Sequence, residues 1–254
     1  MSLRHRLAAT YGRIWRTYWS WAPSILLLAL IIFLPLGLLD AATMNVELDS
    51  LNVLNGIKLA AIVLAVGVVT ATGLLGEVFF SGAIAVSLTH PRDSQGGSPP
   101  SLREIARRLN YRRLIAVDLL FVAIVAIGLI LGVIPGILAF VWLALAGPVV
   151  EIEERSAVSA LKRSVRLVRG NFWLVFGVLA PIEILGDAIG SGLAALVHEL
   201  LGHTFVATWL AEALADAALA PIFAVAAVLL TVDLIAEKDG EHAAPPLHPA
   251  PVPA

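Results

Sequence analysis

Long apolar stretches alternate with short polar connections along most of this chain. A helix that crosses a bilayer needs about 20 mostly apolar residues at a rise of ~1.5 Å each. Inside lipid, only helices and closed barrels satisfy every backbone amide and carbonyl. The pattern predicts six spans: Ala22–Leu39, Ile57–Glu77, Leu114–Gly132, Pro135–Val150, Phe172–Leu193 and Trp209–Ile235. The run from Leu114 to Val150 is too long for a single helix, at roughly 55 Å against a ~30 Å hydrocarbon core. Gly132-Val133-Ile134-Pro135-Gly136 supplies a turn, with Pro135 placed to open the next helix, so a tight hairpin is expected. Its second arm is short, and a re-entrant segment is the alternative.

The connections have periodicity of their own. Tyr11, Ile14, Trp15 and Tyr18 recur at helical spacing beside Arg13 and Arg16, which predicts an interfacial helix with its rings at headgroup level. Ser101 through Arg113 opens with Ser101 and Glu104 in capping-box spacing and aligns Leu102, Ile105 and Leu109. Ala157 through Arg169 puts Ala157, Ala160, Leu161, Ser164 and Val168 on one side. Glu151, Glu153 and Glu154 lie near its start and cations near its end, which suits the helix dipole. Prolines 245, 246, 249, 251 and 253 make the end of the chain a poor helix former and predict disorder. The expected fold is therefore all-α: a polytopic six-helix transmembrane bundle (22–236) with amphipathic cytoplasmic interfacial helices, an interfacial helix over 1–21 and a Pro-rich tail over 237–254. A cleaved signal peptide is the alternative for the first apolar run. The long aromatic leader and the poor cleavage site at Leu39-Asp40-Ala41 argue against it.

Composition agrees with a lipid-solvated chain: 59% hydrophobic, 14% charged, mean hydropathy +0.90. The charges are segregated. Of 17 basic residues, all but Lys58 fall in the N-terminal segment, the second-to-third and fourth-to-fifth connections, or the tail. Cytoplasmic loops retain positive charge, so both ends are expected in the cytoplasm of a plasma-membrane protein. Arg103, Arg107, Arg108, Arg112 and Arg113 on one connection and Lys162, Arg163, Arg166 and Arg169 on the other form a candidate basic surface. Its expected partners are anionic inner-leaflet lipids or a membrane or cytoplasmic protein, not nucleic acid. Lipid charge is expected to anchor both helices. With no cysteine there is no disulfide, thiolate metal site or Cys nucleophile. No cofactor is implied.

Candidate chemistry is concentrated in the last two spans. Glu183 and Asp187 share a face of the fifth, and Glu212 and Asp216 share a face of the sixth. A lipid-facing carboxylate costs about 2.5–3.5 kcal/mol at the helix centre, so these side chains should face the bundle or water. They make either a proton or cation site or a shallow wet vestibule. His198-Glu199-Leu200-Leu201-Gly202-His203 invites a zinc-protease reading, which fails because the residue one turn after His198 is Gly202; an exposed loop pair is expected. Asp118 is expected to reach toward Arg112 or Arg113, and Glu77 to sit in solvent at a span edge.

Ile134-Pro135-Gly136, Trp142-Leu143-Ala144-Leu145, Pro148, Glu153 and the run Ala160-Leu161-Lys162-Arg163-Ser164-Val165-Arg166-Leu167-Val168-Arg169-Gly170-Asn171-Phe172-Trp173 resemble the glycerophosphodiester phosphodiesterase membrane-domain family and its six-span bacterial relatives. Pro221 and Val232 through Gly240 add to the likeness, although Ile235 and Ala236 stand where the family is usually more basic. The resemblance implies a membrane domain whose phosphodiesterase activity belongs to a separate soluble barrel that this sequence does not contain. The expected function is that of a non-enzymatic membrane scaffold or accessory module. The alternative is a small proton- or cation-coupled transporter using the acidic residues of spans five and six.

Overall fold

A computed structural model describes residues 3–44, 76–89, 102–202 and 204–247, with side chains 36–44, 102, 187, 212 and 241 excepted. The described residues form α1 (Leu3–Met44), α2 (Glu77–Thr89), α3 (Leu102–Arg108), α4 (Tyr111–Leu131), α5 (Val133–Leu143), α6 (Ala146–Ile152), α7 (Ala157–Val168), α8 (Phe172–Leu201) and α9 (Phe205–Asp239), with a 3-10 turn at Glu241–Ala243. Among them there is no strand. Five segments have the length and apolar content of a membrane span: Leu3–Pro35, Tyr111–Leu131, Val133–Ile152, Phe172–Leu201 and Phe205–Asp239. They correspond to five of the six expected spans. The remaining one, Ile57–Glu77, lies outside the described residues except at its end.

The central element is α9, buried almost continuously from Phe223 to Ile235. It runs antiparallel to α1. Arg6 meets Glu237 at one end, and Trp209 donates its indole N–H to the Leu34 carbonyl (2.8 Å) at the other. Both helices cover the same number of residues between these contacts, about 42 Å of rise. Phe33, Phe80, Phe121 and Phe223 fill the core, while Leu119, Ile127, Ile184 and Ile189 point outward. Apolar residues on both the inner and outer faces are what lipid solvation of the outer face requires.

Backbone groups released by irregularities find side-chain donors. Pro181 inside α8 has no N–H, which frees the Gly177 carbonyl one turn earlier; Tyr11 of α1 donates its hydroxyl to that oxygen at 2.8 Å. Where α5 gives way to α6, Ser164 donates to the Trp142 carbonyl at 2.7 Å. The expected hairpin is present as a single linking residue, Gly132, whose φ of +149° suits glycine. Its arms touch at Gly128 and Gly136: a Cβ on Gly128 would stand 2.9 Å from the Gly136 Cα.

Four expectations are corrected. Residues 3–21 do not form a helix of their own, because α1 continues through Pro23 and its first turns stand against α9, held by Arg6 and Arg13. The second-to-third connection begins with a buried apolar helix, α2, after a left-handed turn at Gly76 (φ +95°). The helix expected over Ser101–Arg113 ends at Arg108, and Arg112 and Arg113 belong to the first turn of α4. The tail does not leave the bundle at 237: α9 runs to Asp239, and Ala244 and Leu247 pack against the core.

Candidate functional site

Helices α8 and α9 approach closely where their side chains are smallest. A Cβ on Gly190 would lie 3.3 Å from that of Ala215, and one on Gly186 would lie 3.8 Å from that of Leu219. Beside this crossing is a cavity of about 960 Å³, lined from α8 by Glu183, Ser191 and His198 and from α9 by Asp216 and Phe223. Glu199 of α8, Phe33 of α1 and Glu77 of α2 also line it, and among the described residues the lining includes no lysine or arginine. Glu183 and Asp216 thus open into one space. The backbones of Asp187 and Glu212 lie in α8 and α9, and their side chains are outside the described residues.

Three residues, Glu77, His198 and Glu199, line the cavity without having been expected there. Glu77 is only 8% exposed and heads a buried helix, so it is not in solvent at a span edge. His198 is helical and half-buried, within 3.2 Å of the Thr208 hydroxyl across the α8–α9 turn, and is not part of an exposed loop pair. Its companion His203 lies outside the described residues. Among those residues, no group of three His, Asp or Glu side chains could hold a metal ion.

Asp118 contacts neither Arg112 nor Arg113. Its Oδ2 accepts the Gly76 N–H at 2.8 Å, with the amides of Val78 and Phe79 on the same side, so a carboxylate of α4 caps the start of α2. Arg113 instead donates to the Glu154 carbonyl at 2.6 Å, where the backbone turns left-handed (φ +50°).

At the opposite end of α9 the chain builds a polar clasp. Arg13 donates to both oxygens of Asp233 (2.7 and 2.9 Å), and Arg6 donates to Glu237 (2.6 Å) and to the Asn171 side-chain oxygen (3.0 Å). The Asn171 amide in turn donates to Glu237 at 3.1 Å. Lys238 caps the end of α7 through the carbonyls of Arg166 and Arg169. Arg163, expected on the basic surface, is turned inward, 8% exposed, between Glu153 (2.8 Å) and Asp239. Burial opposes its charge, but the hydrogen bonds and charges of those two carboxylates outweigh burial and hold its pKa above the usual arginine value.

The remaining candidate cations differ in their surroundings. Arg108 pairs with Glu104 on α3, while Arg103, Arg107 and Arg112 are exposed. Lys162, Arg166 and Arg169 are also exposed. Helix α7 buries Ala160, Leu161, Ser164, Leu167 and Val168 against the bundle, so packing and the clasp contribute to holding it. Arg6, Arg13, Asn171, Asp233 and Glu237 were not foreseen as a unit.

These features define a helical, multi-pass integral membrane protein with its described N- and C-terminal segments at one end of the bundle. Over 123 residues the chain is 32% identical to a UPF0259 membrane protein of Pectobacterium carotovorum subsp. carotovorum (strain PC1), a match covering 46% of this chain and 48% of that relative. The match therefore spans about half the length of the curated relative. No protein-family model and no solved structure matches the chain. The likeness found is thus to a UPF0259 protein, and the resemblance to the phosphodiesterase membrane domains gains no support from these comparisons.

Proposed function

We propose that the chain is a non-enzymatic membrane protein that takes a cation or a proton-donating solute into the cavity between α8 and α9. The observation that carries this reading is the opening of Glu183 and Asp216, from two different spans, into one space with Glu77. Ionisable side chains are costly among lipid tails, and a cavity that admits water or a cation removes much of that cost. In this reading the carboxylates act by electrostatics alone, attracting positive charge and exchanging protons with it.

The test is flux through the full chain in proteoliposomes, read with an internal pH dye under imposed proton, sodium and potassium gradients. Flux above protein-free vesicles that falls at least tenfold in Glu183→Gln and Asp216→Asn, with thermal stability kept, is expected. Flux equal to that of empty vesicles under all three gradients would overturn the reading. The scaffold or accessory-module reading rests on a different feature, the outward cations of α7.

A further inference from the structure

The arginines and lysines at the clasp end differ in what they meet. Arg6, Arg13, Arg155 and Arg163 are spent on carboxylates of the same chain. Among the described residues Lys162, Arg166 and Arg169 form no ion pair, and all three are exposed. Their spacing makes one stripe. Val158, Lys162, Arg166 and Arg169 follow one another at three- or four-residue intervals along α7 and its C-cap, and Trp173 stands beyond the turn at Gly170, in the next helix; Val158 and Trp173 are 54% and 67% exposed.

The stripe cannot swing freely, because the opposite face of α7 is fixed. Ser164 bonds the end of α5, Arg163 is clamped by Glu153 and Asp239, and Lys238 holds the last carbonyls. Trp173 belongs to the first turn of the span α8 and is exposed. An exposed tryptophan at a span end marks the level of the headgroups. Three cations on one face of a fixed helix, with the exposed Trp173 ring at the start of the next span, match an anionic headgroup whose acyl chains lie against the bundle.

From this we infer that the outward stripe of α7 is a binding site for anionic phospholipid, with Lys162, Arg166 and Arg169 on the headgroup phosphate and Trp173 against the glycerol and upper chains. An acidic protein would also meet the cations, but it gives no reason for the exposed Trp173 ring at a span end.

The experiment uses the full chain in bilayers that contain spin-labelled phosphatidylglycerol or spin-labelled phosphatidylcholine, and reads the motionally restricted fraction of each. One cation beside an anionic headgroup favours it on the order of fivefold. A severalfold preference for phosphatidylglycerol is expected at low salt, with loss at high salt and in the triple variant Lys162→Gln, Arg166→Gln, Arg169→Gln. The charge-keeping variant Lys162→Arg, Arg166→Lys, Arg169→Lys should retain it. If the triple variant folds poorly, Arg169→Gln alone should still reduce the preference. Equal restriction of both lipids by the parent, or an unchanged preference in all the Gln variants, would overturn the site.

Discussion

Replacing Gly147 by alanine should be among the most damaging single-methyl additions to this protein. Gly147 lies where α6 crosses α2, and a Cβ there would overlap the Val78 carbonyl oxygen and stand 2.5 Å from the Ser81 hydroxyl and 3.0 Å from the Val78 carbonyl carbon. Two of those three atoms are backbone of a helix that is itself buried, so relief requires moving α2 as a body. Overpacking of a fixed core costs about 1–3 kcal/mol, and backbone on both sides puts this case near ~3 kcal/mol, roughly a 150-fold change in the folded-to-unfolded ratio. Gly82, on the other side of the crossing, is milder. Its Cβ would meet mainly the tip of Leu114, with the Gly147 carbonyl at 3.2 Å, so about 1–2 kcal/mol is expected. Gly12 is the control: nothing lies within 4 Å of a Cβ there, and alanine should gain up to about 0.5–1 kcal/mol of helix propensity. Unfolding by dodecyl sulfate in mixed micelles, followed by far-ultraviolet circular dichroism, ranks the three. Parental stability for Gly147→Ala, or an order other than Gly147, Gly82, Gly12, would refute the α2–α6 crossing.

Tyr11→Phe leaves the carbonyl freed by Pro181 without its donor and should cost about 0.6–1.5 kcal/mol in the same titration, while Tyr18→Phe costs less. Arg163→Gln should cost about 2 kcal/mol: breaking a fully buried pair costs more, but Asp239 is 41% exposed and Arg155 still holds Glu153. Because the folded pKa of Arg163 is raised, its contribution is complete below the ordinary arginine pKa and is lost only above the folded one. The difference between parent and Arg163→Gln should therefore be constant from about pH 7 to about pH 10. Asp118→Ala should destabilise by about 1–2 kcal/mol and Asp118→Asn by less, since the amide oxygen can still accept from Gly76; hydrogen exchange at the start of α2 should rise in the alanine variant.

Spans were legible wherever apolar length alone decides them, and the hairpin was legible because Gly132 and Pro135 have strong backbone preferences. The face of α7 was legible from its 3.6-residue period, which also contains the missed signal. Arg163 stands three residues after Ala160 and four before Leu167, on the stripe that is buried. Reading every arginine of a connection as a topology marker hid that placement. Helix α2 was hidden for a different reason: an apolar stretch interrupted at Gly76 looks like the overrun of a long span, and only the Asp118 carboxylate, 42 residues away in sequence, shows that a new helix starts there. Arg6 and Arg13 repeat at helical spacing, as do Asp233 and Glu237, but pairing them requires knowing that α1 and α9 are antiparallel.

Helix α9 carries both the clasp and the cavity wall, and their separation limits how they interact. Asp216 and Asp233 are about 25 Å apart along the axis, and the charges of the clasp are paired with one another, Arg13 on Asp233 and Arg6 on Glu237, so their fields largely cancel at that distance. The charges of the clasp therefore do not tune the cavity carboxylates by simple electrostatics, and any coupling must pass through the packing of α9 against α1. That helix pair is fastened at both ends, by Arg6 and Arg13 at one and by the Trp209 indole at the other. Fastening of this kind resists sliding of α1 past α9, whereas the α8–α9 crossing, lined by glycine and alanine, is a contact with little side-chain interlock. A cavity that changes volume would do so by movement of α8, with the α1–α9 pair as the fixed frame. Pro181, which breaks the backbone ladder of α8 next to Glu183, lies at the level where such a movement would bend the helix.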